Sequence, residues 1–177
     1  LAAVCVTAFS WAVPSWAIDG VMVNIPSREG VHVPVFWVAQ ADAPATLLIL
    51  SGGAGTIGKV NENGWPASGN FLIRSGKQFA AHGFNLAMVS KPSDLDGLDP
   101  LLRVSERHLD DMHKVLRYAR AQSDAPIWLV ATSQSTISAA AVAIAERDSG
   151  LVAGMVLSSS ITNYRIPNAV PKLDLER

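Results

Sequence analysis

Apolar and polar positions divide the chain into short alternating runs followed by longer apolar blocks. Residues 20–27 and 31–40 are two β-prone runs, and the polar break Ser27-Arg28-Glu29-Gly30 between them is typical of a turn. Four later runs are almost continuously apolar, as expected for strands buried on both faces of a sheet. These runs cover residues 45–51, 84–90, 126–132 and 151–159.

Stretches with helical spacing lie between the apolar runs. Residues 71–83 are amphipathic and end at Gly83, which is a common helix stop. In residues 103–122 apolar side chains recur every three or four positions, which predicts one buried helix face. That face consists of Leu109, Met112, Val115, Leu116 and Ala119. Residues 134–150 form a third, alanine-rich helical stretch that directly follows an apolar run.

The order of these elements predicts the fold class. Two antiparallel strands come first, and strand–helix repeats of about forty residues follow them. Connections of this length favour parallel strands with crossover helices. The sequence therefore predicts an α/β protein with a mostly parallel sheet and helices on both of its faces.

Composition narrows the class of protein. A chain of 177 residues is long enough for one domain with a real core, and its 49% apolar and 16% charged residues exclude a disordered chain. The net charge of -1 provides no basic surface for nucleic acid or for an anionic membrane. Nucleic acid and an anionic membrane are therefore poor candidates for a partner.

Residues 1–17 have the features of an export signal. They contain no charged residue and end in Ser15-Trp16-Ala17, with small residues where a signal peptidase requires them. The segment is short and interrupted by Pro14, so no membrane span is expected in the mature chain. We expect an exported protein, periplasmic or secreted, whose domain covers residues 18–177. The alternative is a buried N-terminal strand or helix.

Cys5 is the only cysteine, and it lies inside this segment. A mature chain without it can hold neither a disulfide nor a cysteine-based metal site. We expect no metal and no cofactor.

The glycine-rich loop at residues 53–60, GAGTIGKV, nearly satisfies two nucleotide-binding patterns. Val60 stands where a phosphate loop needs a hydroxyl for Mg²⁺, and no helix start follows Lys59. A dinucleotide site would also need an acidic residue after the next strand, which instead ends in Ser90-Lys91. Nucleotide binding by Gly53 to Lys59 remains an alternative, as does a turn without a role. The third interpretation is a loop that offers backbone N–H groups to a developing negative charge.

The segment Ala131-Thr132-Ser133-Gln134-Ser135 joins an apolar run to the alanine-rich helix. A nucleophile held on a sharp strand-to-helix turn needs small residues two positions before and after it. Here those positions are alanine and serine. Ser133 is therefore a candidate nucleophile.

With these motifs the chain resembles the α/β-hydrolase superfamily over residues 20–160, through the order of its elements, the loop at residues 51–55 and the turn around Ser133. The resemblance implies that Ser133 is the catalytic nucleophile. It also implies an oxyanion hole formed by the backbone N–H of Gln134 and that of Gly53 or Ala54. The substrate would be a small ester, thioester or amide. The sequence departs from the family at Ser51, where the loop often begins with histidine.

A serine nucleophile needs a histidine base and a carboxylate, and in this family both follow the serine along the chain. The histidines are His32, His82, His108 and His113, and all precede Ser133. We expect each to be a surface or boundary residue, and the spacing of His108 and His113 does not suit a metal pair.

The acidic residues after Ser133 are Glu146, Asp148, Asp174 and Glu176. The first two follow the helix behind the turn, and the last two lie in a linker-like tail. The sequence thus predicts an amino-terminal part of a hydrolase, lacking the last strands and inactive by itself, with an unpaired, sticky sheet edge. The alternative from another class is a non-catalytic binding protein on the same fold.

Overall fold

The computed structural model describes residues 19–162. The predicted signal segment, residues 1–17, and the tail with Asp174 and Glu176 lie outside the described residues. Residues 19–162 contain eight strands and five helices. The strands are β1 (Val21–Pro26), β2 (His32–Val38), β3 (Thr46–Leu50), β4 (Lys59–Val60), β5 (Pro66–Ala67), β6 (Asn85–Val89), β7 (Ile127–Thr132) and β8 (Val152–Ser158). The helices are α1 (Phe71–Arg74), α2 (Gly76–Ala81), α3 (Pro100–Arg103), α4 (Glu106–Gln122) and α5 (Ser135–Ala145).

Six strands form one mixed sheet in the order β1-β2-β6-β3-β7-β8. β6, β3, β7 and β8 run parallel, whereas β2 is antiparallel to both β1 and β6. The predicted α/β class with a mostly parallel sheet is therefore confirmed. β3 lies between β6 and β7, so its carboxyl end adjoins that of β7, where the candidate nucleophile follows.

Alternate residues of the central strands enter two separate cores. Leu48 and Leu50 of β3 pack with the buried face of α4 and with α5. Leu47 and Ile49 pack on the opposite side of the sheet with residues of α1 and α2 and with Trp65. Because both sides of β3 are covered, its continuous apolar sequence is explained, and the predicted helices on both faces are confirmed.

The β1–β2 hairpin is fixed to the rest of the domain by Arg28. Its guanidinium donates to Asp94 at 2.9 Å and to the buried Asp111 of α4 at 3.1 Å. The hydrogen bond from Arg28 is also the main reason that the pKa of Asp94 is below its ordinary value. Ser27 donates to the same Asp111 carboxylate. The polar break in the sequence is thus a turn that is anchored on α4.

Three local features differ from the prediction. The single helix expected at residues 71–83 is divided at Ser75 into α1 and α2, and Gly76, the first residue of α2, is packed directly against Met88 and Trp65. The long polar segment after β3 contains the small hairpin β4–β5. Helix α3 was not predicted, although Asp99 caps it through its side chain and Pro100 begins it. Within residues 19–162 no helix has both the length and the apolar character to cross a membrane.

Candidate active site

Ser133 lies on a sharp turn between the end of β7 and the start of α5. Its φ angle is +55°, in the left-handed region that residues other than glycine rarely adopt. The backbone holds this conformation at both ends of the residue: Ser133 N–H donates to Ser158 O at 3.1 Å, and Ser133 O accepts from Thr136 N at 3.0 Å. The side chain is exposed. The turn therefore presents the Ser133 hydroxyl at the carboxyl edge of the sheet.

The small residues on either side of Ser133 are both buried. Ala131 leaves space for close packing, and the Ser135 hydroxyl contacts the backbone of the turn and of β3. Ser135 Oγ accepts from Thr132 N–H at 2.9 Å and lies 2.7 Å from the carbonyl oxygens of Leu50 and Thr132. The hydroxyl at this position therefore joins the end of β3 to the turn.

The glycine loop lies directly against the turn. A Cβ atom on Gly52 would be 2.9 Å from Thr132 O, 3.1 Å from Ser133 Cβ and 3.7 Å from Gln134 N. Only glycine permits this approach, since the two backbones are nearly in contact. Gly53, the next residue, is exposed and has a φ angle of +59°. The structure thus brings the loop, Ser133 and Gln134 together.

The backbone groups of the loop divide into occupied acceptors and free donors. The carbonyls of Gly52, Gly53 and Ala54 accept from Gly55 N at 3.2 Å, Arg103 Nη2 at 2.7 Å and Leu98 N at 3.1 Å. Among residues 19–162, in contrast, the N–H groups of Gly53, Ala54 and Gln134 donate to no protein acceptor. Free N–H groups beside a serine hydroxyl can bind an anionic oxygen. Ser51 is buried and donates to Thr56 O at 2.9 Å, so it has a structural role in the loop.

In the part of the chain that the structure describes, no histidine is hydrogen-bonded to Ser133, and three of the four have other partners. His82 Nδ1 contacts Gln78 O at 2.7 Å, and His113 Nδ1 contacts Glu146 Oε1 at 2.7 Å. His32 lies in the hairpin strand β2. No group of three or more His, Cys, Asp or Glu side chains within residues 19–162 could hold a metal ion.

The expectation that His108 is a surface or boundary residue is wrong. Only 5% of it is exposed, and its Nε2 lies 3.1 Å from Ser138 Oγ of α5. Burial, and to a smaller extent the positive charge of Arg103, lower the pKa of His108 to about 4. The α3–α5 contact covers the side of α4 that carries this histidine, a tertiary effect that helical spacing does not reveal.

Arg103 is a site residue that sequence reasoning missed. It is 1% exposed and donates to Gly53 O at 2.7 Å and to Ser138 Oγ at 3.1 Å. Burial lowers the pKa of its guanidinium to about 10. The sequence contains no signal for this position, because an arginine at a helix end ordinarily faces water.

The structure also bears on the nucleotide alternative. Lys59 and Val60 form β4, so the loop leads into a short strand. A phosphate site of either pattern uses the amino end of a helix that follows the glycines at once. The first helix after the loop, α1, begins at Phe71 and is capped by Asn70.

No protein-family model matches the sequence, and no curated protein matches it in sequence. Solved structures are similar in fold. A brefeldin A esterase, described as a bacterial homologue of human hormone-sensitive lipase, matches with a TM-score of 0.54 and 15% identity over 85% of this chain and 42% of its own. An esterase from Pyrococcus furiosus matches with a TM-score of 0.57 and 14% identity, over 84% of this chain and 53% of its own. A bacterial heroin esterase matches with a TM-score of 0.52 and 22% identity, over 82% of this chain and 46% of its own. The chain spans about half the length of these proteins.

Proposed function

We propose that this chain, which has the α/β-hydrolase fold, forms the nucleophile-bearing part of a serine hydrolase that acts by acyl transfer through Ser133. The observation that carries the proposal is the exposed Ser133 with a φ angle of +55° at the end of β7. Strain of this kind costs on the order of 1 kcal/mol and is found where a side chain must project out of a sheet.

In the proposed reaction Ser133 Oγ attacks the carbonyl carbon of a small ester, thioester or amide. The carbonyl oxygen becomes an oxyanion that accepts from Gln134 N–H and from Gly53 or Ala54 N–H. Collapse of the tetrahedral intermediate releases the alcohol, thiol or amine with a proton, and water then hydrolyses the acyl ester on Ser133. The free donors beside the serine support this assignment.

A base must take the proton of the Ser133 hydroxyl, because the neutral hydroxyl is a weak nucleophile. His82, His108 and His113 are engaged by Gln78, Ser138 and Glu146. His32 lies in β2, and within residues 19–162 no hydrogen bond joins any of the four histidines to Ser133. The base and its carboxylate are therefore proposed to come from other residues. A protein without them would bind ligands beside Ser133 and would not turn them over.

The test is covalent labelling of the full-length protein with a fluorophosphonate probe, which reacts with activated serines. We expect Ser133 to be labelled and Ser133→Ala to abolish both labelling and p-nitrophenyl ester hydrolysis. Ser159 is a matched control because it is also an exposed serine with positive φ, +48°. Ser159→Ala should keep the labelling.

Two results would contradict the proposal. Labelling that persists in Ser133→Ala would remove Ser133 as the nucleophile. A folded wild-type protein that reacts with neither probe nor ester would favour the non-catalytic binding protein.

We also propose that the protein is exported and that a signal peptidase cleaves after Ala17. The uncharged segment 1–17 with its small residues near Ala17 supports this. Intact mass measurement of the protein from its own cells should give a chain that begins at Ile18, whereas a retained segment would refute cleavage.

A further inference from the structure

Arg103 is the buried cation of the domain that contacts the glycine loop directly. It lies at the end of α3, and its guanidinium reaches Gly53 O at 2.7 Å on one side and Ser138 Oγ of α5 at 3.1 Å on the other. Both contacts are to neutral oxygens. Arg103 thus connects the loop to the two helices behind it.

The surroundings of Arg103 are costly for a positive charge. Among the described residues it forms no ion pair, and its Nε has no hydrogen-bond partner. A buried charge without a counter-charge destabilises a folded protein, and apolar side chains of similar size often replace it without loss. Stability alone therefore gives no reason for an arginine here. A reason must come from what the guanidinium contacts, which is the Gly53 carbonyl.

The Gly53 carbonyl and the Ala54 N–H belong to one planar peptide unit. In a trans peptide the C=O and N–H point in opposite directions, so a donor that holds the carbonyl inward turns the N–H outward. Arg103 binds this carbonyl from the interior, and Ala54 N–H donates to no acceptor within residues 19–162. Gly53 has a φ angle of +59° and, as a glycine, little steric restriction of its own. The orientation of the peptide plane between Gly53 and Ala54 must therefore be fixed by a hydrogen-bond partner.

The charge of Arg103 adds to this orientation. A carbonyl that accepts from a cationic donor is polarised, and the N–H at the other end of the peptide then becomes a stronger donor. The pKa of about 10 leaves the guanidinium protonated at neutral pH, so this polarisation is present under ordinary conditions.

We propose that Arg103 is a positioning residue for the oxyanion hole, holding the Gly53–Ala54 peptide so that Ala54 N–H faces the oxygen that becomes negative. This rests on the proposed function, since the oxyanion forms only if Ser133 attacks a carbonyl. Of the two loop donors that sequence reasoning left open, the arginine selects Ala54. Its effect belongs to the transition state, because the negative charge develops there.

The experiment compares Arg103→Met, Arg103→Lys and Ser138→Ala in the full-length protein with a p-nitrophenyl ester. We expect Arg103→Met to lower kcat by about tenfold to a hundredfold with KM within about twofold. Arg103→Lys should recover part of the loss, because it restores a cation. Ser138→Ala removes the contact on the side away from the loop and should keep kcat within about threefold.

A second measurement follows the peptide itself. The ¹³C chemical shift of the Gly53 carbonyl should change in Arg103→Met and stay close to wild type in Ser138→Ala. If Arg103→Met does not fold, Arg103→Lys carries both measurements, with an intermediate loss of kcat and an intermediate shift.

The outcomes separate the inference from the proposed function. A folded Arg103→Met protein with wild-type kcat overturns the role of Arg103 and leaves Ser133 as nucleophile. Equal losses of kcat in Arg103→Met and Ser138→Ala also overturn it, because they indicate a general packing role. A wild-type protein without turnover that depends on Ser133 overturns the proposed function, and the role of Arg103 with it.

Discussion

At the level of single residues, the backbone strain of the site is concentrated at Ser133. A left-handed φ angle of +55° costs a residue with a Cβ atom on the order of 1 kcal/mol, and glycine avoids most of that cost. The serine is therefore a compromise between stability and the exposure of its hydroxyl. The same conflict is common at functional sites.

Replacement of this serine should reveal the strain. We expect Ser133→Gly to have a free energy of unfolding roughly 0.5–1 kcal/mol higher than Ser133→Ala, after allowance for the greater flexibility of glycine in the unfolded chain. Urea denaturation of the two variants measures the difference. If Ser133→Gly is the less stable variant, the positive φ angle is not maintained in solution.

Gly53 offers a test in which side-chain volume and backbone conformation are separated. Its Cβ position is open, with no atom within 4 Å, but its φ angle of +59° disfavours branched side chains. We expect Gly53→Val to lower kcat on the order of a hundredfold by displacing one backbone donor. Gly53→Asn should lose much less, since asparagine tolerates this conformation. Equal kcat in two folded variants would contradict the role of the loop.

The sequence was sufficient to name the candidate site residues because their signal is local: small residues and glycines that follow a strand. These candidates are Ser133, Gly53, Ala54 and Gln134. The sequence was not sufficient for Arg103 and His108, since their burial is created by α3 and α5 packing over α4. An arginine at a helix end and a histidine near a helix start have the same local pattern whether they face water or another helix. For these residues the tertiary contact is the only source of information.

At the level of elements, strand β3, strand β7 and helix α5 meet at one hydroxyl group, that of Ser135. Continuous apolar runs were sufficient to predict the strands, since a strand buried on both faces has few other sequence patterns. Helical periodicity was insufficient for α1 and α2, which are divided at Ser75 next to the close packing of Gly76 on Met88. Helical periodicity does not report such a contact.

Loss of the Ser135 hydroxyl should weaken the connection between these elements. Ser135→Ala leaves Thr132 N–H and the carbonyl of Leu50 without their partner in a buried place, which costs about 1–3 kcal/mol. Ser149 is a matched control, because its hydroxyl also binds a backbone N–H and a carbonyl but is exposed to water. Ser149→Ala should lose less than half as much in urea denaturation. Similar losses of unfolding free energy in the two variants would show that burial does not strengthen the hydrogen bonds of Ser135.

At the level of the whole molecule, the sheet joins two cores, and α3, α4 and α5 enclose a buried polar cluster formed by Arg103, Ser138 and His108. The element order predicted the α/β class and the two covered faces. It did not predict this cluster, because hydrophobic patterning describes only the apolar part of an interface. At the opposite end from β1, β8 pairs with β7 alone among the described strands and exposes Met155 and Val156.

The polar cluster should make folding sensitive to acid. The pKa of His108 falls from 6.5 to about 4 on folding, so below pH 6.5 the unfolded chain binds a proton that the native protein excludes. The contribution of neutral His108 to the free energy of unfolding is therefore fully present above pH 6.5. It is lost as the pH falls toward 4, which lowers the free energy of unfolding by about 3 kcal/mol. His108→Gln should reduce the slope of unfolding free energy against pH in this window. An unchanged slope in a folded His108→Gln protein would contradict the buried neutral histidine.

The packing of Ala131 and Ser135 around the turn has a consequence for how such a turn is recognised in other sequences. What the fold requires at these two places is a limit on side-chain volume, and a methyl or hydroxymethyl group falls within it when both residues are buried. A pattern written with two glycines states that limit too strictly and excludes the present sequence. A pattern that accepts glycine, alanine or serine would include it, with the condition that a serine hydroxyl must find backbone partners, as Ser135 does with Thr132 and Leu50.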